Sequence, residues 1–380
     1  MNLELLNRLF LEVKTPELYG RYITNSDIEK CFDYLSKSKI STVGFSVEKR
    51  PIYHLEFGNG PIKILLWSQM HGNESTSTKA LFDCFRLFET EEELGRQILE
   101  KCTLVVIPIL NPDGAERYTR VNANEVDLNR DAQALSQPES QVLRQVYNDF
   151  QPDYCFNLHG QRTIFSAGDT NKIATLSFLS PAQDEERQLT RNRKEAMAII
   201  SEINAFLQSE IPNGIGRYDD GFNLNCVGDT FQSFGVPTVL YESGHYKTDY
   251  NREEVRRLTY IAILKGIETI MNGVELARYK NYFNIPENAK CFYDVIIRNA
   301  KSYCNDALID IAIQYKEVLK DGKLEFIPTV TEISELNDKY GHKEIEANGF
   351  LVTTEDNLDL NIGFEIDFVM LKKERISLKP

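Results

Sequence analysis

Leu3, Leu6 and Phe10, and then Ile28, Cys31, Phe32 and Leu35, recur at steps of three and four. That is the spacing of an apolar helix face, so two short helices are predicted within the first 40 residues. From Ser41 the pattern changes to alternation. Runs over residues 42–47, 52–57 and 62–67 are separated by Lys49-Arg50-Pro51 and by Gly58-Asn59-Gly60-Pro61, which reads as a hairpin delivering a buried strand. A Ser/Thr cluster suited to helix capping and a periodic run through Ala80, Leu81, Cys84, Phe85 and Phe88 follow, giving strand, loop, helix. Continuously apolar runs recur over residues 103–110, 154–158 and 238–241, and amphipathic helices are expected over 185–207 and 252–271.

Apolar strands alternating with amphipathic helices imply an α/β fold, a mostly parallel mixed sheet covered by helices on both faces. Ligands of such sheets collect at the carboxyl ends of the strands. His71, the Asn111 loop, His159 and Glu242 each follow or end an apolar run, so all four are placed at that edge. Beyond about residue 280 the character changes. Strand-like runs over 292–297, 324–329 and 364–371, with one helix expected near 330–340, indicate a small, mostly β C-terminal domain. The expected division is a catalytic domain over 1–280 and a β-rich domain over 281–380. No internal repeat or low-complexity tract interrupts either.

The 380 residues include 42% hydrophobic and 26% charged side chains, 21 Gly and 13 Pro, close to a soluble globular average. The net charge of −14, with no basic segment to offset it, argues against a nucleic-acid partner. No apolar run approaches the roughly 20 residues needed to cross a bilayer. Glu4, Arg8, Glu12 and Lys14 break up the first 20 residues, so no secretory signal is read there. The seven cysteines, Cys31, Cys84, Cys102, Cys155, Cys226, Cys291 and Cys304, are odd in number and lack CxxC spacing. They are expected as free thiols, and the protein as cytoplasmic.

His71 and Glu74 stand three apart on a loop and can reach one cation, and His159 adds a third donor from the end of a distant strand. Two imidazoles and one carboxylate match a hydrolytic zinc site that keeps a coordination position open for water. Three other histidines are assigned lesser parts. His54 alternates within a hairpin strand and is structural, His342 is solvated in the charged stretch 339–346, and His245 is given a supporting or surface position.

The ordered set Ser46-Val47-Glu48-Lys49-Arg50-Pro51-Ile52, His71-Gly72-Asn73-Glu74, Asn111-Pro112-Asp113-Gly114, Arg120-Val121-Asn122, Val126-Asp127-Leu128-Asn129-Arg130, Asn157-Leu158-His159 and Tyr241-Glu242-Ser243 resembles the zinc metallocarboxypeptidases, the carboxypeptidase A-like peptidases. The resemblance covers roughly residues 1–275 and leaves the C-terminal segment out. It implies one zinc per chain held by His71, Glu74 and His159, Glu242 as general base, and Arg120 as the cation that polarises the scissile carbonyl. It also implies that Asn129 and Arg130 grip the free carboxylate of a peptide or amide substrate, and that Tyr218 closes over it. Two departures, Asp131 after Arg130 and Gly160-Gln161-Arg162 after His159, bear on specificity. Asp229 is a candidate for the side-chain pocket, and Asp219 with Asp220 reads as an exposed acidic loop.

The reaction expected is removal of a C-terminal residue by metal-activated water. The sequence contains neither a GxSxG elbow nor a Cys/His signature for a covalent intermediate. Two alternatives stand beside it: deacylation of a small N-acyl amino acid by a related enzyme of the aspartoacylase or desuccinylase kind, and a non-catalytic peptide-binding module.

Overall fold

The structure, a computed structural model, describes residues 1–302 and 307–380. Cys304 lies outside the described residues. The chain opens with helix α1 (Leu3–Val13) and the short α2 (Asn25–Glu29). The hairpin β1 (Lys39–Phe45) and β2 (Pro51–Phe57) then leads into β3 (Ile62–Trp67). Next come α3 (Thr76–Glu89), α4 (Glu93–Lys101), β4 (Cys102–Ile107), α5 (Pro112–Arg117), α6 (Pro138–Phe150) and β5 (Tyr154–Gly160). They are followed by β6 (Phe165–Ala167), β7 (Leu176–Leu179), α7 (Arg191–Leu207), β8 (Ile215–Arg217), α8 (Val227–Ser233), β9 (Thr238–Ser243) and α9 (Glu253–Met271).

Eight strands form one sheet in the order β1-β2-β4-β3-β5-β9-β7-β8. Its centre, β4, β3, β5 and β9, is parallel, with antiparallel pairings toward both edges. Successive residues of a strand point to opposite faces, and β3 shows it. Ile64 and Leu66 join the core under α1, α3, α4, α7 and α9, while Leu65 and Trp67 pack with Leu143 and Val146 of α6 and Phe231 of α8. Burying both faces explains why the central strands read as continuous apolar runs; each Leu or Ile so buried contributes roughly 1.5–3 kcal/mol. Helix α9 approaches the sheet closely. A Cβ at Gly266 would stand 2.5 Å from the Tyr241 hydroxyl and 3.0 Å from Phe156 Cζ, so β9 and β5 meet bare helix backbone there.

After a 3-10 segment (Leu276–Asn284), β10 (Asn288–Lys290) pairs with β6. Four strands, β11 (Phe292–Lys301), β12 (Leu308–Lys320), β13 (Lys323–Ser334) and β14 (Tyr340–Glu346), form a second sheet in the order β13-β12-β11-β14. A small third sheet holds β15 (Val352–Thr353), β16 (Phe368–Leu371) and β17 (Glu374–Ser377). These strands bury a separate cluster that includes Val295, Ile313, Val330 and Val369.

Three local expectations are corrected. The helix near residues 330–340 is absent: Val330 to Ser334 finish β13, with Ile333 opposite Ile311 of β12, because β-branched Thr329, Val330, Thr331 and Ile333 favour the ladder. Helix α7 starts at Arg191 rather than 185. His342 is not solvated. Its ring lies flat on Phe292 at 4.7 Å, its Nε2 donates to the Thr163 carbonyl at 2.8 Å, and burial lowers its pKa to about 4. The six described cysteines are free, and no helix among the described residues is long and apolar enough to cross a membrane.

Candidate metal centre and substrate cleft

The loop after β3 carries His71 and Glu74, and its neighbours explain its shape. Gly72 packs against α5 so closely that a Cβ would fall 1.9 Å from the Gly114 carbonyl carbon. Asn111, before α5, donates to the Met70 carbonyl at 3.2 Å and accepts from Gly114 N–H at 2.8 Å. Asp113 accepts from the Ser46 hydroxyl at 2.7 Å, Glu48 N–H at 2.9 Å and the Arg50 guanidinium at 2.7 Å. The turn after β1, the loop after β3 and the loop after β4 are therefore one hydrogen-bonded unit.

His159 reaches the same point from the end of β5. Its Nδ1 lies 3.1 Å from His71 Nδ1 and 3.0 Å from Glu74 Oε2, and Glu74 Oε1 lies 2.9 Å from His71 Nδ1. Three donor atoms within 4.8 Å of one another fit a small cation, which can take both imidazole lone pairs and the carboxylate at once. Glu74 Oε2 also accepts Gly160 N–H at 2.9 Å. Burial disfavours a charged Glu74, yet His71 and His159 hold its pKa far below the usual carboxylate range. Burial likewise opposes a charged His71, yet Glu74 and Asp127 raise its pKa to about 9.

Asp127, quoted in the Val126–Arg130 run but given no role there, completes this centre. Its Oδ1 stands 3.1 Å from His71 Nε2, the carboxylate–imidazole contact that fixes the tautomer and basicity of a metal-binding histidine. Its Oδ2 accepts from Arg120 Nε at 3.1 Å, and Arg120 Nη1 also points to Glu74 at 3.5 Å. Asp127 caps the 3-10 turn Leu128–Arg130 through Asn129 N–H at 2.9 Å. The signal was present: a buried imidazole ligand needs an acceptor on its other nitrogen, and an acid precedes Asn129 by two residues.

Glu242 stands beside His159 because β5 and β9 run parallel with these two residues in register. Its Oε2 finds no protein partner, and burial, reinforced by Glu74, raises its pKa well above the ordinary value. On the turn capped by Asp127, Asn129 accepts from Val227 N–H at 3.1 Å, while Arg130 Nη1 donates to the Asn129 carbonyl at 2.8 Å and to Cys226 Sγ at 3.1 Å. Tyr218, beyond β8, donates its hydroxyl to Gln161 Oε1 at 2.8 Å and packs edge-on to Phe165.

One open cleft of about 580 Å³ is lined by His71, Glu74, Arg120, Asn129, Arg130, His159, Tyr218 and Glu242. The eight residues expected as metal, catalytic or substrate-gripping groups are all on that wall; Asp229, the candidate for the side-chain pocket, is not. Gln161 and Arg162, the departure after His159, line it too, whereas Asp131 is tied into the loop before α6 by Ser136 and Gln137. Asp229 is buried in α8 and is not among the lining residues; Asp220 is held by Arg193 and Arg187. His245 is buried beneath the site between Tyr250 and His342. Sequence reasoning missed Arg21, Arg252, Tyr315 and Glu317, which also line the cleft. They come from three distant segments, and no local pattern marks them.

The fold with this cluster at its strand ends is that of the metallocarboxypeptidases. A metallo-carboxypeptidase from Burkholderia cenocepacia aligns with a TM-score of 0.52 at 17% identity, covering 65% of this chain and 70% of that one. Carboxypeptidase A from Helicoverpa armigera aligns with 0.53 at 16%, covering 72% and 81%. Residues 29–262 match the zinc carboxypeptidase family model, and the chain belongs to that family. Among curated relatives, carboxypeptidase SOL1 of Arabidopsis thaliana is 31% identical over 235 residues, 54% of this chain and 48% of that protein. Carboxypeptidase D of Mus musculus is 30% identical over 131 residues, 29% of this chain and 10% of that protein. The chain thus spans about half the length of the first relative and less of the second.

Proposed function

We propose that the protein is a zinc-dependent carboxypeptidase that removes one residue from the free carboxyl end of a peptide. The observation that carries this reading is Arg130. Its guanidinium lines the cleft beside Asn129, and among the described residues no carboxylate pairs with it. A planar fork without an anionic partner suits a terminal carboxylate.

His71, Glu74 and His159 would hold one zinc ion, whose chemistry is to acidify a water molecule and polarise a carbonyl. Arg130 and Asn129 fix the carboxyl terminus, which sets the scissile carbonyl one residue further in, by Arg120. Arg120 is held by Asp127 and Glu74, and its charge favours the oxyanion that forms as water adds. Glu242, whose Oε2 has no hydrogen-bond partner among the described residues, takes the proton from that water and returns it to the leaving amine. Tyr218, with its hydroxyl already inside the cleft, covers the departing residue.

The test compares a peptide with its C-terminal amide and with an N-acyl amino acid. Amidation removes the anionic partner of a guanidinium that is exposed until the bound peptide covers it, a loss of about 2–5 kcal/mol, or roughly 30-fold to several-thousand-fold in kcat/KM. Free peptides should be cleaved and amides not. Arg130→Ala should impair only the former. Equal hydrolysis of free and amidated peptides would refute the reading, and turnover of the N-acyl amino acid alone would replace it with deacylation.

A further inference from the structure

The cleft has a second charged end. Arg130 is in electrostatic contact with Cys226 and Asp229; Arg252 instead has Arg21, Glu317 and Tyr118 as neighbours. The two sets share no member; Arg120 is a neighbour of Cys226 on the Arg130 side, and Glu242 is a neighbour of both Arg120 and Arg252. With the substrate carboxylate at Arg130 and its scissile carbonyl at Arg120, the acyl side of the substrate points toward Arg252.

Arg252 is 2% exposed and forms no ion pair among the described residues. Its Nη1 donates to the Ser243 carbonyl, its Nη2 to the Gln161 carbonyl at 2.6 Å, and its Nε has no partner among the described residues. It also holds a left-handed backbone, φ 56°, at the start of α9. A buried guanidinium with no carboxylate in contact is costly, Glu317 and Asp249 acting on it only at longer range, and an anion arriving in the cleft offsets that cost. Arg21 lines the same end, paired at 2.5 Å with Glu317 of β12, which also accepts the Tyr118 hydroxyl at 2.7 Å. Arg162 lies exposed at the rim. Outside the catalytic centre this end therefore presents three guanidinium groups and one carboxylate, in a chain whose net charge is −14. Tyr315 and Glu317 of β12 wall it.

We propose that Arg252, Arg21 and Arg162 form an anion subsite, and that the preferred substrates are acidic peptides carrying a carboxylate on the acyl side of the scissile bond. The inference rests on the carboxypeptidase reading and names its substrate class.

Three free-ended peptides that differ only in the residue before the scissile bond, Glu, Gln or Lys, test it through kcat/KM. The expected order is Glu, then Gln, then Lys. The Glu-to-Gln ratio should be about tenfold or more at low ionic strength and shrink as salt is added. Arg252→Gln should erase the ratio. Should that variant fail to fold by circular dichroism, Arg162→Gln and Glu317→Gln decide the matter. The first should narrow the Glu-to-Gln gap, and the second should widen it by removing the one opposing charge. Equal cleavage of the Glu and Gln peptides, a preference for Lys, or no response to either variant overturns the subsite and leaves the carboxypeptidase reading standing. If none of the three is cleaved by zinc-loaded protein, that reading falls and the subsite with it.

Discussion

Replacing Asp127 by Asn removes a charge while keeping the outline of the side chain, which isolates what the carboxylate does for the metal centre. The local fold should survive, since Asn caps a helical turn as well as Asp. Two donors, Asn129 N–H at 2.9 Å and His71 Nε2 at 3.1 Å, converge on Oδ1, so the amide oxygen takes that place and its NH2 is turned toward Arg120. At His71 a charge-assisted hydrogen bond becomes a neutral one, a difference of about 1–2 kcal/mol. That corresponds to roughly 5- to 30-fold weaker zinc binding, near the range known for outer-shell partners of metal-binding histidines. Arg120 loses its anchor at the same time, so turnover should fall even when zinc is saturating. Competition against a chromophoric chelator measures the first effect and steady-state kinetics in excess zinc the second. Zinc affinity within twofold of the parent would refute the claim that Asp127 orients His71.

Other outcomes follow from the same geometry. Protein purified without added metal should contain about one zinc per chain by elemental analysis, and His159→Ala should lose most of it. Glu242→Gln should retain zinc and fold yet turn over roughly 10² to 10⁴ times more slowly; a variant within about tenfold of the parent would place the proton transfer elsewhere. Burial raises the Asp229 pKa to about 7, opposed by weaker backbone hydrogen bonds. The folded state therefore holds a proton that the unfolded chain gives up near pH 4. Asp229 consequently contributes its stability below about pH 4 and loses it as pH rises to about 7, up to about 4 kcal/mol in total. Melting temperatures of the parent and Asp229→Asn should coincide in acid and separate above pH 7, with the variant higher; parallel curves would show that Asp229 titrates normally.

The sheet and the cluster of His71, Glu74 and His159 were legible because both depend on short-range pattern. An apolar strand that stops at His159 or Glu242 declares its polarity and the position of its end, and parallel strands bring such ends together. Register supplied what pattern lacked: that His159 and Glu242 are lateral neighbours follows from the β5–β9 ladder. The misread helix near residues 330–340 shows the reverse case. Val330, Ile333 and Leu336 recur every third residue, but pairing with β12 outweighs that periodicity. His342 looked solvated because Lys339, Lys343 and Glu344 surround it in sequence, yet alternation turns its ring inward against Phe292. The second end of the cleft had no local signal, since Arg21, Arg252 and Glu317 meet only after the C-terminal strands are in place.

Gly266 is not on the cleft wall, yet it bears on where the Glu242 carboxyl stands. With the helix backbone pressed against Tyr241 and Phe156, an added methyl at this position would force α9 off the sheet or displace the Tyr241 ring, and Glu242, the very next residue after Tyr241, would shift with it. A genetic screen for inactive variants would therefore recover Gly266 beside Glu242 and His159. An observer without the structure would map one active site onto both faces of the sheet.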